Sequence, residues 1–176
     1  RVDADARVQE NHPTTRYGAS PELRAEGGSD PDIDSYLRFS ISGLTGPVQS
    51  ATLRVFIPTG SGYGTVNGPA VYTAANTWSE STITWNTRPP RTTTPHDDKG
   101  KLMAGAWVEY DVTALANGNG AITFVLAGDA TDVVVFSSRE GTTDRNPRRS
   151  DADHPTRTDR NRHAAINADA RTNPGT

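Results

Sequence analysis

The chain has 176 residues, a formal net charge of −3 and a hydrophobic content of 33%. This length fits one domain, or one domain with a tail, and the absence of cysteine excludes a disulfide framework, a thiolate metal site and cysteine catalysis. No apolar run approaches the ~18 residues of a membrane-spanning helix, and the acidic composition up to residue 144 argues against a nucleic-acid or anionic-membrane partner. Because the chain begins at Arg1 without a charged-then-apolar leader, we expect any export signal to have been removed or to be absent.

Short segments of alternating apolar and polar residues predict strands at 36–42, 51–57, 107–112, 121–126 and 132–140, with one helical turn at 113–118. Alternation of this kind is typical of antiparallel sheets with one solvated face. Long connections between such short strands favour a Greek-key or jelly-roll arrangement. We therefore predict an all-β fold, a two-sheet antiparallel β-sandwich of the jelly-roll type, over residues 1–147.

The C-terminal part of the sequence has a different composition. From residue 145 onward there is no aromatic residue, no valine and no leucine, and Ile166 is the one large aliphatic residue. Such a segment buries too little apolar surface to offset the entropy of ordering it. We predict a disordered tail or linker at 148–176; its interleaved aspartates disfavour a nucleic-acid-binding arm.

Four motifs follow one another in a distinctive order: Asp3-Ala4-Asp5-Ala6, Tyr36-Leu37-Arg38-Phe39, the block TWSESTITWN at 77–86, and Ser137-Ser138-Arg139-Glu140. This succession resembles the DNRLRE-type domain of bacterial and archaeal secreted proteins, which is similar to carbohydrate-binding module family 96. The resemblance covers about residues 2–147. It implies a secreted, non-catalytic module that binds an extracellular acidic polysaccharide such as alginate and targets a covalently attached enzyme, or a cell surface, to it. We expect a monomer.

In alginate-binding members of that family, basic side chains of the N-terminal third carry the binding. The positions that match here are Arg16, Arg24 and Arg38. The sequence departs from the family in two respects: aspartates stand at 30, 32 and 34 where binding members are rich in lysine, and no closing strand follows Pro147. The alternative for the three arginines is a solvated side chain paired with a nearby aspartate.

Aromatic rings can stack on the apolar faces of sugar rings. Tyr17, Tyr36 and Tyr63 are candidates for this role. Tyr36 shares the outward face of its strand with Arg38, and Tyr63 lies in a glycine-rich loop, a position that favours exposure. The alternative for all three is packing at the edge of the core. We interpret Trp78 and Trp85 as parts of the framework.

Asp3, Asp5 and Asp111 are candidate ligands for a structural Ca²⁺, because Asp3 and Asp5 share one face of an extended strand and Ca²⁺ prefers oxygen ligands. A helix N-cap is the simpler role for Asp111. No cofactor is expected to be required, and the four histidines lack zinc-ligand spacing.

No nucleophile elbow, metalloprotease motif or phosphate loop is present in the sequence. We therefore expect a module without catalytic activity. Two alternatives stay open: a structural spacer or adhesion module without sugar affinity and, less favoured, a polysaccharide lyase. Arg139 and Glu140 are interpreted as an ion pair that holds the last strand.

Overall fold

The computed structural model describes residues 2–141 and 164–169. Within them lie nine strands, β1 Val2–Gln9, β2 Glu22–Ala25, β3 Ile33–Ile41, β4 Ser50–Phe56, β5 Ala70–Ala74, β6 Trp107–Asp111, β7 Gly120–Ala127, β8 Val134–Ser137 and β9 Ala164–Asp169, and a 3-10 turn at Thr113–Leu115. The strands form a four-stranded sheet β1-β3-β7-β5, a two-stranded sheet β2-β8 and a three-stranded sheet β6-β4-β9. All pairings are antiparallel. The predicted all-β sandwich is confirmed.

The main core is a single apolar cluster to which all three sheets contribute. The four-stranded sheet supplies, among others, Leu37 and Phe124, and the smaller sheets supply Leu53, Tyr110 and Phe136. Each of these side chains is at most 1% exposed. They occupy the inward positions that period-two alternation predicts for their strands, since successive side chains of a strand point to opposite faces.

The outer face of the four-stranded sheet is also buried, contrary to the expectation of one solvated face. A second apolar cluster covers it, built from Ala4, Ala6, Val8, Tyr36, Trp78, Ile83, Val125 and Ala127. Trp78 and Ile83 belong to the segment 75–91, which follows β5 and which we call the cover segment. Strand periodicity reports which side chains share a face, but not whether a distant loop packs on that face.

Strand β9 differs from the expectation that no strand follows Pro147. It pairs with β4 from Val55↔Ala164 to Ser50↔Asp169, and Ile166 packs partly against the main core. An edge strand gains stability from backbone hydrogen bonds. Small residues supply these bonds as well as large ones do, because each carries the same backbone donor and acceptor. The other residues of the predicted tail 148–176 lie outside the described part of the chain. In that described part, no helix is long and apolar enough to cross a membrane.

Asp34 gives the fold a measurable pH dependence. Burial raises the pKa of this β3 carboxyl to about 6, with Asp32 adding to the rise and Arg91 and Arg88 opposing it. The folded state therefore holds the proton more tightly than the unfolded state, and stability is lost as the pH rises through about 4 to 6. We expect the advantage of Asp34→Asn over the wild type to grow by up to about 3 kcal/mol across this range.

Urea unfolding of both proteins at several pH values between about 4 and 7 measures this difference. Asp30→Asn is the matched control, because it removes the same charge from an exposed position, and we expect its effect on the free energy of unfolding to be small. A constant difference between Asp34→Asn and the wild type would contradict the prediction.

Candidate functional site

A surface of charged and aromatic side chains lies on β1, β2 and the loops beside them. We call Arg7, Tyr17, Glu22, Arg24 and Tyr63 together the Glu22 surface. Glu22 and Arg24 alternate along β2 with two buried residues, so both point away from the core. The Glu22 carboxylate pairs with the Arg24 guanidinium at 2.8 Å and accepts a hydrogen bond from the Tyr63 hydroxyl at 3.1 Å.

Arg7 connects this group to Tyr17. Its guanidinium lies 4.4 Å from the centre of the Tyr17 ring and donates hydrogen bonds to the Ser20 hydroxyl and, at 2.7 Å, to the Glu22 carbonyl. The hydrogen bond from Arg24, assisted by the one from Tyr63, holds the pKa of Glu22 below its usual range. Glu22 is therefore ionised at neutral pH and balances one of the two guanidinium charges.

Arg24 and Tyr63 form an accessible part of this surface. The Arg24 side chain is 36% exposed, and Tyr63 is half-buried. Gly60 lies against the Tyr63 ring, because a Cβ at that glycine would stand 2.8 Å from ring carbons. The Val135 amide donates to the Tyr63 carbonyl at 3.1 Å. An aromatic ring is thus held in place beside a guanidinium and a carboxylate, a combination that suits sugar hydroxyl, carboxyl and C–H groups.

Arg16 precedes Tyr17 in the loop after β1. Its side chain is exposed, and among the described residues it forms no ion pair. Arg16, Arg24 and Tyr63 are thus accessible, as the sequence predicted, and their role in binding stays a prediction.

Tyr36 and Arg38 have a different position, and the expectation of an exposed platform is corrected. Tyr36 is fully buried; its hydroxyl donates to the Pro89 carbonyl at 2.8 Å and its ring meets Trp78 edge-on. Arg38 donates to the Trp78 carbonyl at 2.6 Å and to the Asn76 carbonyl at 3.3 Å. Both side chains therefore hold the cover segment on the sheet. Strand alternation identified their shared face correctly but could not reveal what covers it.

The predicted metal-ligand set of Asp3, Asp5 and Asp111 does not come together. A bulge between Val2 and Ala4 breaks the alternation of β1, so Asp3 is exposed while Asp5 is buried. Asp111 is exposed at the end of β6 and accepts a hydrogen bond from the Thr113 amide at 2.9 Å, at the start of the 3-10 turn.

Asp5 belongs instead to a cluster with Glu80, Arg139 and Glu140, which we call the Asp5 cluster. Carboxylate oxygens of its three acids lie within 4.8 Å of one another. The Arg139 guanidinium pairs with Glu80 at 2.6 Å and with Glu140 at 2.7 Å. Burial raises the pKa of Asp5 to about 8, the Glu140 and Glu80 carboxylates add to the rise, and the Arg139 amide opposes it. The resemblance motifs at 3–6, 77–86 and 137–140 meet in this cluster.

A depression of 320 Å³ lies elsewhere, lined by Ser50, Thr52, Asp97, Lys99, Glu109, Tyr110, Asp111 and Thr113. Its acidic side chains outnumber its single lysine, so its charge repels a polyanion.

Sequence reasoning also did not find the guanidinium stacks on the cover segment and β5: Arg88 lies 3.3 Å from the centre of the Trp85 ring, and Arg91 lies 4.1 Å from that of Tyr72. The three-residue spacing of Trp85 and Arg88 was the available signal for the first stack.

Comparison with known proteins assigns the chain to a family. A family model described as carbohydrate-binding module family 96 matches residues 1–148. A search of curated proteins finds no match to the chain. The match spans strands β1 to β8 but not β9, and it includes the residues of the Glu22 surface and of the Asp5 cluster. The chain belongs to carbohydrate-binding module family 96.

Proposed function

We propose that this carbohydrate-binding module recognises an acidic, alginate-like extracellular polysaccharide through the Glu22 surface and Arg16, and targets an attached enzyme or a cell surface to it. The observation that carries the proposal is the juxtaposition of an accessible guanidinium, Arg24, with a half-buried tyrosine ring, Tyr63, on one carboxylate, Glu22. The proposed function requires that the protein be secreted.

The chemistry of this surface fits a uronate chain. A guanidinium binds a carboxylate through two parallel hydrogen bonds, and the tyrosine ring provides an apolar face for sugar C–H groups. The existing bond of Arg24 to Glu22 is a partly exposed ion pair, and such pairs contribute about 1 kcal/mol or less. The Arg24 guanidinium can therefore bind a ligand carboxylate at a small cost in free energy. The Glu22 carboxylate can accept hydrogen bonds from sugar hydroxyls.

The proposed role is non-catalytic. Among the described residues, Glu80 and Glu140 are both engaged by the Arg139 guanidinium, and Glu109 pairs with Arg54 at 2.8 Å. These acids are occupied by cations instead of facing each other across an open cleft, as a glycosidase requires. The module would act by raising the local concentration of substrate for a linked enzyme.

We expect Arg24→Ala and Tyr63→Ala each to weaken polysaccharide binding about tenfold, the equivalent of one charge-assisted contact. Affinity gel electrophoresis against alginate, pectin and a neutral glucan measures this, and added salt should weaken the retardation by the acidic polymers because it screens exposed charges. Arg91→Ala is the control, since it removes the same charge from the stack on Tyr72. If Arg91→Ala loses retardation and Arg24→Ala keeps it, the site assignment is wrong.

The same gels distinguish the proposal from its alternatives. A spacer or adhesion module would migrate unchanged in every polysaccharide, including at low salt. A lyase would release unsaturated uronates, which absorb in the ultraviolet, during incubation with the polymer. Retardation without such a product supports a binding module.

A further inference from the structure

The Asp5 cluster joins three parts of the chain that are far apart in sequence. Asp5 lies on β1, Glu80 in the cover segment, and Arg139 and Glu140 directly after β8. The Asp5 amide donates to Glu80 Oε1 at 2.9 Å, and the Arg139 amide donates to Asp5 Oδ2 at 2.8 Å. The cluster thus connects the four-stranded sheet, the cover segment and the residues that follow β8.

The charges of the cluster do not balance. If all three carboxylates were ionised beside the one guanidinium, the group would carry an excess of two negative charges, which favours the uptake of a proton or a cation. Burial makes such an excess costly, because a carboxylate without a compensating partner loses its hydration. Asp5 is only 1% exposed. A counter-charge of two units at this point would neutralise the cluster.

Two oxygens of the cluster have no hydrogen-bond partner. Asp5 Oδ1 and Glu140 Oε2 are both buried without a donor among the described residues. The other oxygen of each carboxylate is already engaged by Arg139. Buried acceptors are normally satisfied, so unpartnered oxygens on two neighbouring acids leave a place for a proton or a cation at the cluster.

We propose that Asp5, Glu80 and Glu140 form a binding site for one Ca²⁺ ion, with Asp5 Oδ1 and Glu140 Oε2 as direct ligands. Ca²⁺ accepts carboxylates in variable geometry and with several waters, which suits a site whose third acid, Glu80, also accepts two hydrogen bonds. The ion supplies the two missing charges. It would hold β1, the cover segment and the end of β8 together, so that binding adds to the stability of the fold.

The test uses the whole chain after removal of metal with EDTA. Isothermal titration with CaCl2 should show one site per molecule, and the midpoint of thermal unfolding should rise by about 5 °C at a calcium concentration well above the dissociation constant. Asp5→Asn and Glu140→Gln should abolish both effects. Asp111→Asn, which removes an exposed acid outside the cluster, should retain both.

The competing explanation is a proton shared between Asp5 and Glu140. An asparagine at position 5 imitates the protonated acid, so in that case Asp5→Asn would be as stable as the wild type in EDTA and calcium would change neither protein. Absence of binding heat and of a thermal shift with the wild type would overturn the proposal, whatever the variants do. A wild-type shift that Asp5→Asn lacks supports it.

Discussion

Replacement of Arg139 by methionine should lower the free energy of unfolding by about 1.5 to 3 kcal/mol, the usual range for hydrogen bonds to charged groups, because this half-buried guanidinium contacts two carboxylates at once. The methionine retains most of the apolar stem but leaves Glu80 and Glu140 without the guanidinium that both now contact. The substitution also removes the hydrogen bond that Arg139 Nη1 donates to the Asp3 carbonyl.

Urea denaturation in EDTA measures this effect without a contribution from bound cations. Arg24→Met is the matched control: it breaks a partly exposed ion pair with Glu22, and its cost should stay within about 1 kcal/mol. Equal costs for the two variants would show that the Asp5 cluster is no more important for stability than a surface pair.

Trp78→Ala should cost about 3 to 5 kcal/mol, as expected for a large buried aromatic side chain. Trp78 is 7% exposed, and its indole N–H donates to the Thr123 hydroxyl at 3.0 Å in a buried position. Its loss would open a cavity above Tyr36 and release the cover segment from the sheet. Trp78→Phe retains a ring and should cost only about 1 to 2 kcal/mol, much of it from the lost hydrogen bond.

Chemical denaturation ranks these two variants, and limited proteolysis locates the effect. In Trp78→Ala we expect cleavage within the cover segment at protease concentrations that leave the wild type intact. Trp85→Ala is a useful comparison, because Trp85 is only half-buried under Arg88. If Trp78→Ala unfolds at the same urea concentration as the wild type, the cover segment does not stabilise the sandwich.

The sequence predicted best the strands in which large and polar side chains alternate. The strand of Leu53 and Val55 and that of Phe124 and Leu126 were found with their inward faces correct. Strands β2 and β5 were not predicted, because they have only four or five residues. Strand β1 was recognised only as an extended segment at Asp3 and Asp5, because its apolar residues, such as Ala4 and Ala6, are small. Their stability comes from neighbouring strands, which local periodicity does not report.

The sequence identified Arg24 only through the family resemblance, since β2 was not predicted; in the structure, alternation along β2 accounts for its accessibility. The burial of Tyr36 was not predictable, because it depends on a segment some forty residues away in the chain. The Asp5 cluster was beyond sequence reasoning for the same reason, since a bulge displaces Asp3 and two distant loops supply Glu80 and Glu140. The motifs at 3–6, 77–86 and 137–140 were all recognised, but their order gave no indication that they meet.

The bond between the Arg139 amide and Asp5 connects positions 134 residues apart, and this separation has a consequence for how the module is made. The first strand can reach its final environment only after residue 140 has left the ribosome. A growing chain shorter than this lacks the contact between Asp5 and Arg139, so the sandwich can close only after this segment has emerged. Closing such distant contacts is slow, and a refolding time of milliseconds to seconds is expected for a β-sandwich of this kind.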